Sequence, residues 1–231
     1  MLDELVRNSA YFGVAVSIGT YGIGYFLKKK FKWAFLNPLL ISVVVTIIVL
    51  VAGNIDYETY KQGASFLNYL LTPATVCLAI PLYEQFELLK KNWKAVLASI
   101  LSGTLTSLLC IFVMSLLWGL NHSMYVTLLP KSITTAMGIG VSEELNGYVT
   151  ITVAAIMVTG ILGNIIGELV IKIFRIRESV SKGVALGTAS HAIGTSKAME
   201  IGDVEGAMGS LSIAVAGILT VILAPVFANF I

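Results

Sequence analysis

The chain alternates apolar runs of membrane length with short polar turns, and three clusters of lysine and arginine restrict how those runs can be threaded. The clusters are Lys28, Lys29, Lys30 and Lys32; Lys90, Lys91 and Lys94; and Lys172, Arg175, Arg177 and Lys182. A helical span needs about 20 predominantly apolar residues, so crossings consume nearly all of the 231 residues and leave no room for a separate catalytic domain. Hydrophobic residues make up 57% of the chain and charged ones 12%, against about 25% charged in a soluble domain. That balance excludes a soluble enzyme and a disordered chain. A net charge of +2 is too small to hold a nucleic acid.

Six runs read as spans: residues 9–27, 36–52, 66–86 (interrupted by Pro73 and Pro81), 95–118, 148–171 and 204–231. The first follows Asp3, Glu4 and Arg7 and precedes the first lysine cluster, the reverse of a cleaved signal peptide. It is therefore expected to be a retained span with the N-terminus outside. Segments 124–141 and 183–199 are also of membrane length but dense in Gly, Ser and Thr. Placing all three basic clusters inside makes both segments re-entrant, dipping in from opposite sides and returning. The competing arrangement makes each a full crossing and puts the Lys172 cluster outside. The expected fold is an all-α polytopic membrane protein with about six transmembrane helices and two opposed re-entrant or broken-helix segments, like an inverted-repeat transporter. It is read as one integral membrane domain over 1–231, with 1–64 as N-terminal scaffold spans and 65–231 as the broken-helix core. A weak internal echo, residues 134–140 against 196–202, fits paired broken segments.

Non-helical backbone survives at membrane depth only where protein buries it or it lines a wet cavity. Three stretches are built to break helices. Thr72-Pro73-Ala74-Thr75 offers a threonine cap with proline at the first helical position, and Pro130-Lys131-Ser132 offers a serine cap. Residues 187–197 are the most polar, with two glycines that permit unwinding. Lys131, His191 and Lys197 are the basic residues at membrane phase, where an ionisable group costs at least about 2.5 kcal/mol and is a functional candidate by default. Half-helix N-termini with such cations favour an anion. The candidate binding residues are Thr72, Thr75, Lys131, Ser132, Thr134, Thr135, Ser190, His191, Thr195, Ser196 and Lys197. His191 also suits a coupled proton, its ordinary pKa of about 6.5 lying near ambient pH. Gly160, Gly163 and Gly167 form a small-residue face for close helix packing.

Catalytic residues are not expected. HExxH, P-loop and GxSxG patterns are absent, and Ser179-Val180-Ser181-Lys182 matches SxxK only by chance, in a basic loop. Cys77 and Cys110 lie in apolar runs without metal or redox spacing and read as inert buried thiols.

At the same residues the chain resembles the bacterial LrgB/CidB family. The stretches Thr72-Pro73-Ala74-Thr75, Leu129-Pro130-Lys131-Ser132-Ile133-Thr134-Thr135 and Gly187-Thr188-Ala189-Ser190-His191-Ala192-Ile193-Gly194 carry the resemblance, which runs over essentially the whole chain. It implies an antiholin-like or holin-like protein that works with a small LrgA/CidA-type membrane protein on murein hydrolase activity and lysis. It equally implies carriers of small carboxylates: pyruvate in bacteria, glycolate and glycerate in a plastid relative. The residues favour the carrier, since a carboxylate wants half-helix N–H groups and a cation while its adjacent oxygen wants a hydroxyl or imidazole. The expectation is a small-monocarboxylate transporter of the bacterial cytoplasmic membrane, homo-oligomeric, without metal or cofactor beyond a coupling proton or cation. The alternative is the holin-like regulator.

Overall fold

The structure, a computed structural model, describes residues 11–31, 36–77 and 79–231; the side chains of Asn68, Leu71, Thr72, Thr75, Pro81 and Leu82 are outside that description, as are Asp3, Glu4, Arg7 and Lys32. The described residues are mostly helical and fall into two compact units, Met1–Cys77 and Leu78–Ile231.

In the first unit α1 (Phe12–Phe31) packs on α2 (Pro38–Ala52) and on α3 (Tyr57–Ala64). Asn37 caps α2 by accepting from Leu39 N and Leu40 N, with Pro38 at the first position, where its missing N–H costs nothing. Asp56 caps α3 through Thr59 N. Gly24 lets α1 approach the Pro38 backbone, to which a Cβ would come within 2.6 Å. There Thr20 Oγ1 bonds to the hydroxyls of Ser42 (2.9 Å) and Thr46 (3.0 Å), and Ser17 reaches Tyr60 at 2.8 Å. Small residues with hydroxyl bridges are how helices associate where lipid supplies no hydrophobic drive. A 3-10 turn (Ser65–Leu70) and α4 (Leu71–Cys77) follow.

The second unit contains α5 (Ala79–Glu84), α6 (Phe86–Trp118), α7 (His122–Leu128), α8 (Thr135–Glu144), α9 (Val149–Ile173), α10 (Ser179–Ile201) and α11 (Asp203–Ala228). Among the described residues three helices are long and apolar enough to cross a membrane: α6, α9 and α11. The expectation of six is not met by length and apolarity. The apolar part of α1 ends before Lys28, and α2, at 15 residues, spans only about 22 Å of an apolar layer about 30 Å thick. The run 66–86 is divided among a 3-10 turn and two short helices, with Pro73 and Pro81 each near a helix start.

The two Gly/Ser/Thr-dense segments fold as helical hairpins rooted at opposite ends of the second unit. In the first, α7 and α8 are joined by a non-helical tip, residues 129–134. Its limbs are held side by side at the start of α9: Thr152 Oγ1 donates to the Thr127 carbonyl and bonds the Ser142 hydroxyl, both at 2.8 Å, while Tyr148 N donates to Thr127 Oγ1 at 2.7 Å. Tyr125 donates to the Phe227 carbonyl (2.9 Å) and His122 Nδ1 lies 2.6 Å from the Ile231 carbonyl, fixing the root beside the end of α11. A buried cluster including Leu108, Tyr125, Leu129, Ile133 and Phe227 fills the space between.

The second hairpin is hidden in α10, which breaks at Ser190 (φ −139°, ψ 25°) and His191 (φ 42°, ψ −138°). Its limbs run antiparallel along α11: Gly183 faces Glu205 and Gly187 faces Gly209 on the way in, while Thr195 faces Gly209 and Met199 faces Gly206 on the way out. Lys182 pairs with Glu205 at 3.8 Å near the root. The sequence echo does not register on these hairpins: Thr134 sits at the first tip, whereas Ser196 lies more than a turn beyond the second break.

Candidate functional site

The tips of the two hairpins converge on one turn of α6. Ser132 Oγ at the first tip lies 3.1 Å from Ser107 Oγ, and Thr188, just before the second break, packs on Gly103, where a Cβ would come within 2.9 Å of its methyl. Residues 103 and 107 are one turn apart on one helix face. Between them opens a cavity of about 500 Å³ whose wall includes Ser99, Thr106, Ser107 and Cys110 of α6, Lys131 and Ser132 of the first tip, and Ser181 and Thr188 of the second hairpin.

Lys131 is the cavity's cation. Half-buried, its Nζ donates to Ser132 Oγ at 3.0 Å and has no carboxylate partner among the described residues. Ser132 was expected to cap a helix. Instead Ser132 is engaged with Ser107 and Lys131, and Thr134 holds the N-cap position of α8 without a side-chain cap bond. Adjoining the cavity is a chamber of about 10 Å³, room for about one water-sized group, which shares Ser107, Ser132 and Thr188 with it and adds Thr104 and Thr220. The hydroxyls of Thr104 and Thr188 are buried there without a hydrogen-bond partner among the described residues. An unsatisfied buried hydroxyl costs about 1–3 kcal/mol, so these two donors are available to a polar ligand.

The other expected binding residues are placed elsewhere. His191 is buried, and its Nε2 lies 3.0 Å from the Ile156 carbonyl. Gly160 makes room for its ring: a Cβ there would come within 2.7 Å of Cε1. Gly163 makes room for the Ser190 side chain and Gly167 for Leu186. The small-residue face of α9 therefore seats the break of α10. Asn164 Nδ2 donates to the Ile193 carbonyl at 3.1 Å, tying the returning limb to the same face. Lys197 is engaged by Glu200 at 3.1 Å and Glu168 at 3.5 Å, so its charge is already offset. Thr195 is buried among the limbs, its hydroxyl without a partner among the described residues, and Ser196 donates to the Ala192 carbonyl at 3.1 Å. Thr134 and Thr135 are half-buried at the start of α8 and are not among the cavity's lining residues. Thr72 and Thr75 lie on α4, their side chains outside the described residues, and Pro73 is the third residue of that helix.

Sequence reasoning missed the α6 wall and Thr188. Ser99, Gly103, Thr106, Ser107 and Cys110 recur at helical spacing on an otherwise apolar helix, a stripe that the 3.6-residue period makes visible. Cys77 and Cys110 are exposed rather than buried, because an apolar run at membrane phase has its outward face in lipid or in a cavity instead of a protein core.

Comparison with known proteins agrees with the early resemblance. No solved structure matches the chain. Proteins named antiholin-like protein LrgB from Bacillus cereus and from Bacillus anthracis are each 39% identical over 222 residues, covering 96% of both chains. The model of the LrgB-like family matches residues 17–230. With a match over almost its whole length and relatives of that identity, the chain belongs to the LrgB family.

Proposed function

We propose that this chain acts as an antiholin-like membrane component, the role carried in the names of its relatives, in the cytoplasmic membrane of a bacterium. What supports this reading is the 39% identity over 96% of the chain, together with three helices fit to cross a membrane. In it the chain is not an enzyme; it restrains murein hydrolase activity and lysis together with a small LrgA/CidA-like membrane protein. Expressing the chain with and without that partner in a lysis-prone strain tests it. Slower loss of turbidity and weaker hydrolase bands are expected, and unchanged lysis in both strains contradicts it.

A specific observation favours a second reading, compatible with the first: a carrier for small monocarboxylates such as pyruvate or a short 2-hydroxy acid. That observation is Lys131, a cation without a carboxylate partner among the described residues, set among hydroxyls where two opposed hairpin tips meet. A lesion-forming protein has no need of such a site. A carboxylate does, since its charge is offset by the ammonium and its oxygens accept from Ser132 and Thr188. Opposed hairpins of this kind open a central site alternately to either side in broken-helix carriers, and a change in organic-acid flux alters wall hydrolases indirectly. Cys110 reports on the site. In a Cys77→Ser background a water-soluble maleimide is expected to label Cys110, with pyruvate slowing labelling and acetate slowing it less. Labelling indifferent to every carboxylate removes the carrier reading while leaving the lysis reading intact.

A further inference from the structure

A second concavity, of about 330 Å³, lies at the roots of the second hairpin, between the end of α9 and the connection to α10. We propose that it binds the headgroup phosphate of an anionic phospholipid. Its lining carries Lys172, Arg175 and Arg177, all exposed and without a carboxylate partner among the described residues. The acid that shares the pocket, Glu168, is already paired with Lys197, so the local excess charge is positive. Ile171, Ile176 and Ile201 add apolar surface to the same lining.

Arg175 sharpens the argument. It has φ 55° at the close of α9, and its N–H bonds the Lys172 carbonyl at 3.1 Å. Glycine is the low-cost residue in that left-handed position; here it carries a guanidinium into the pocket wall. Outside, Leu169, Ile173 and Phe174 are exposed apolar surface of the same helix end. Cations beside isoleucines, next to an apolar outer face, suit a headgroup whose acyl chains continue along the protein. A free phosphate would find only half a polar cradle. Basic pockets between membrane helices take such headgroups. Because Lys182 and Ile201, one on each limb of the second hairpin, also border the pocket, an occupant ties both limbs to α9.

Thermal unfolding of the purified full chain in detergent tests this, with phosphatidylglycerol, phosphatidylcholine or inorganic phosphate added. Phosphatidylglycerol alone is expected to raise the Tm. Arg175→Gly, which keeps the turn, and the pair Lys172→Gln with Arg177→Gln are each expected to cut that rise by about half without lowering the lipid-free Tm. Lys90→Gln with Lys91→Gln, in another basic cluster, keeps the full rise. Equal rises with phosphatidylcholine, an undiminished rise in both pocket variants, or an equal loss in the control pair overturn the proposal. A rise produced by inorganic phosphate alone assigns the pocket to a soluble phosphate and overturns the lipid.

Discussion

His191 holds a backbone conformation, φ 42° and ψ −138°, that belongs to glycine. The break in α10 is thus made at a cost by a residue whose ring is then locked between Gly160 and the Ile156 carbonyl. Two variants separate the terms. His191→Gly and His191→Ala both lose the ring, but glycine accepts the dihedrals, so His191→Gly should be the more stable by about 1 kcal/mol in denaturation; equal stabilities would mean that the break is set by something other than this residue. Gly163→Ala should destabilise by about 1–3 kcal/mol through overpacking against Ser190, and Ser190→Gly should recover much of the loss, which independent effects would not do. At this scale the sequence singled out Lys131 and Ser132, which the structure places in the cavity wall, because a lysine at membrane phase is costly and hence a functional candidate. It hid Thr104, Ser107 and Thr188, since one hydroxyl in an apolar helix reads the same whether it packs or binds. It also suggested Lys197 as a ligand for substrate, although Glu200, three residues on, offers a counter-charge in the sequence itself; the second one, Glu168, comes from another helix and only the fold brings it near.

Among elements, the hairpins, rooted at opposite ends of the second unit, were legible as Gly/Ser/Thr-dense segments of membrane length between clean spans. Their limbs were not, because helix pairing depends on which small residues face each other across α9 and α11. The break itself falls at Ser190–His191 and not at either neighbouring glycine, Gly187 or Gly194, which instead admit the Gly209 and Leu186 backbones. Run 66–86 shows the opposite error: hydropathy alone reads it as a span although its prolines divide it. Lys197 and Glu168 tie the returning limb of the second hairpin to α9. Lys197→Glu should speed amide exchange across residues 192–201, and adding Glu168→Lys should slow it again. The stability involved is only about 0.5–1 kcal/mol, since the Glu168 side chain is 46% exposed. A double variant that exchanges as fast as the single one would mean that the limb is held by packing instead.

For the whole molecule, composition and the resemblance agreed on a membrane-embedded helical protein, and the family match extends over nearly the full chain. The meeting of the two tips on α6 was beyond the reach of the sequence, because it joins residues from three separated segments in a single wall. The carrier reading rests on that wall, proposed as a site for a small anion built around Lys131. Its most direct measurement is uptake of labelled pyruvate, with unlabelled glycolate, lactate and acetate as competitors, in cells expressing the chain alone or with an LrgA-like partner. The account predicts saturable, competed uptake that Lys131→Gln reduces at least about tenfold, as expected for the loss of a charge-assisted contact of about 1.4 kcal/mol or more, with the variant still present in the membrane. Wild-type uptake in Lys131→Gln at equal expression, or no saturable uptake in any strain, would contradict it.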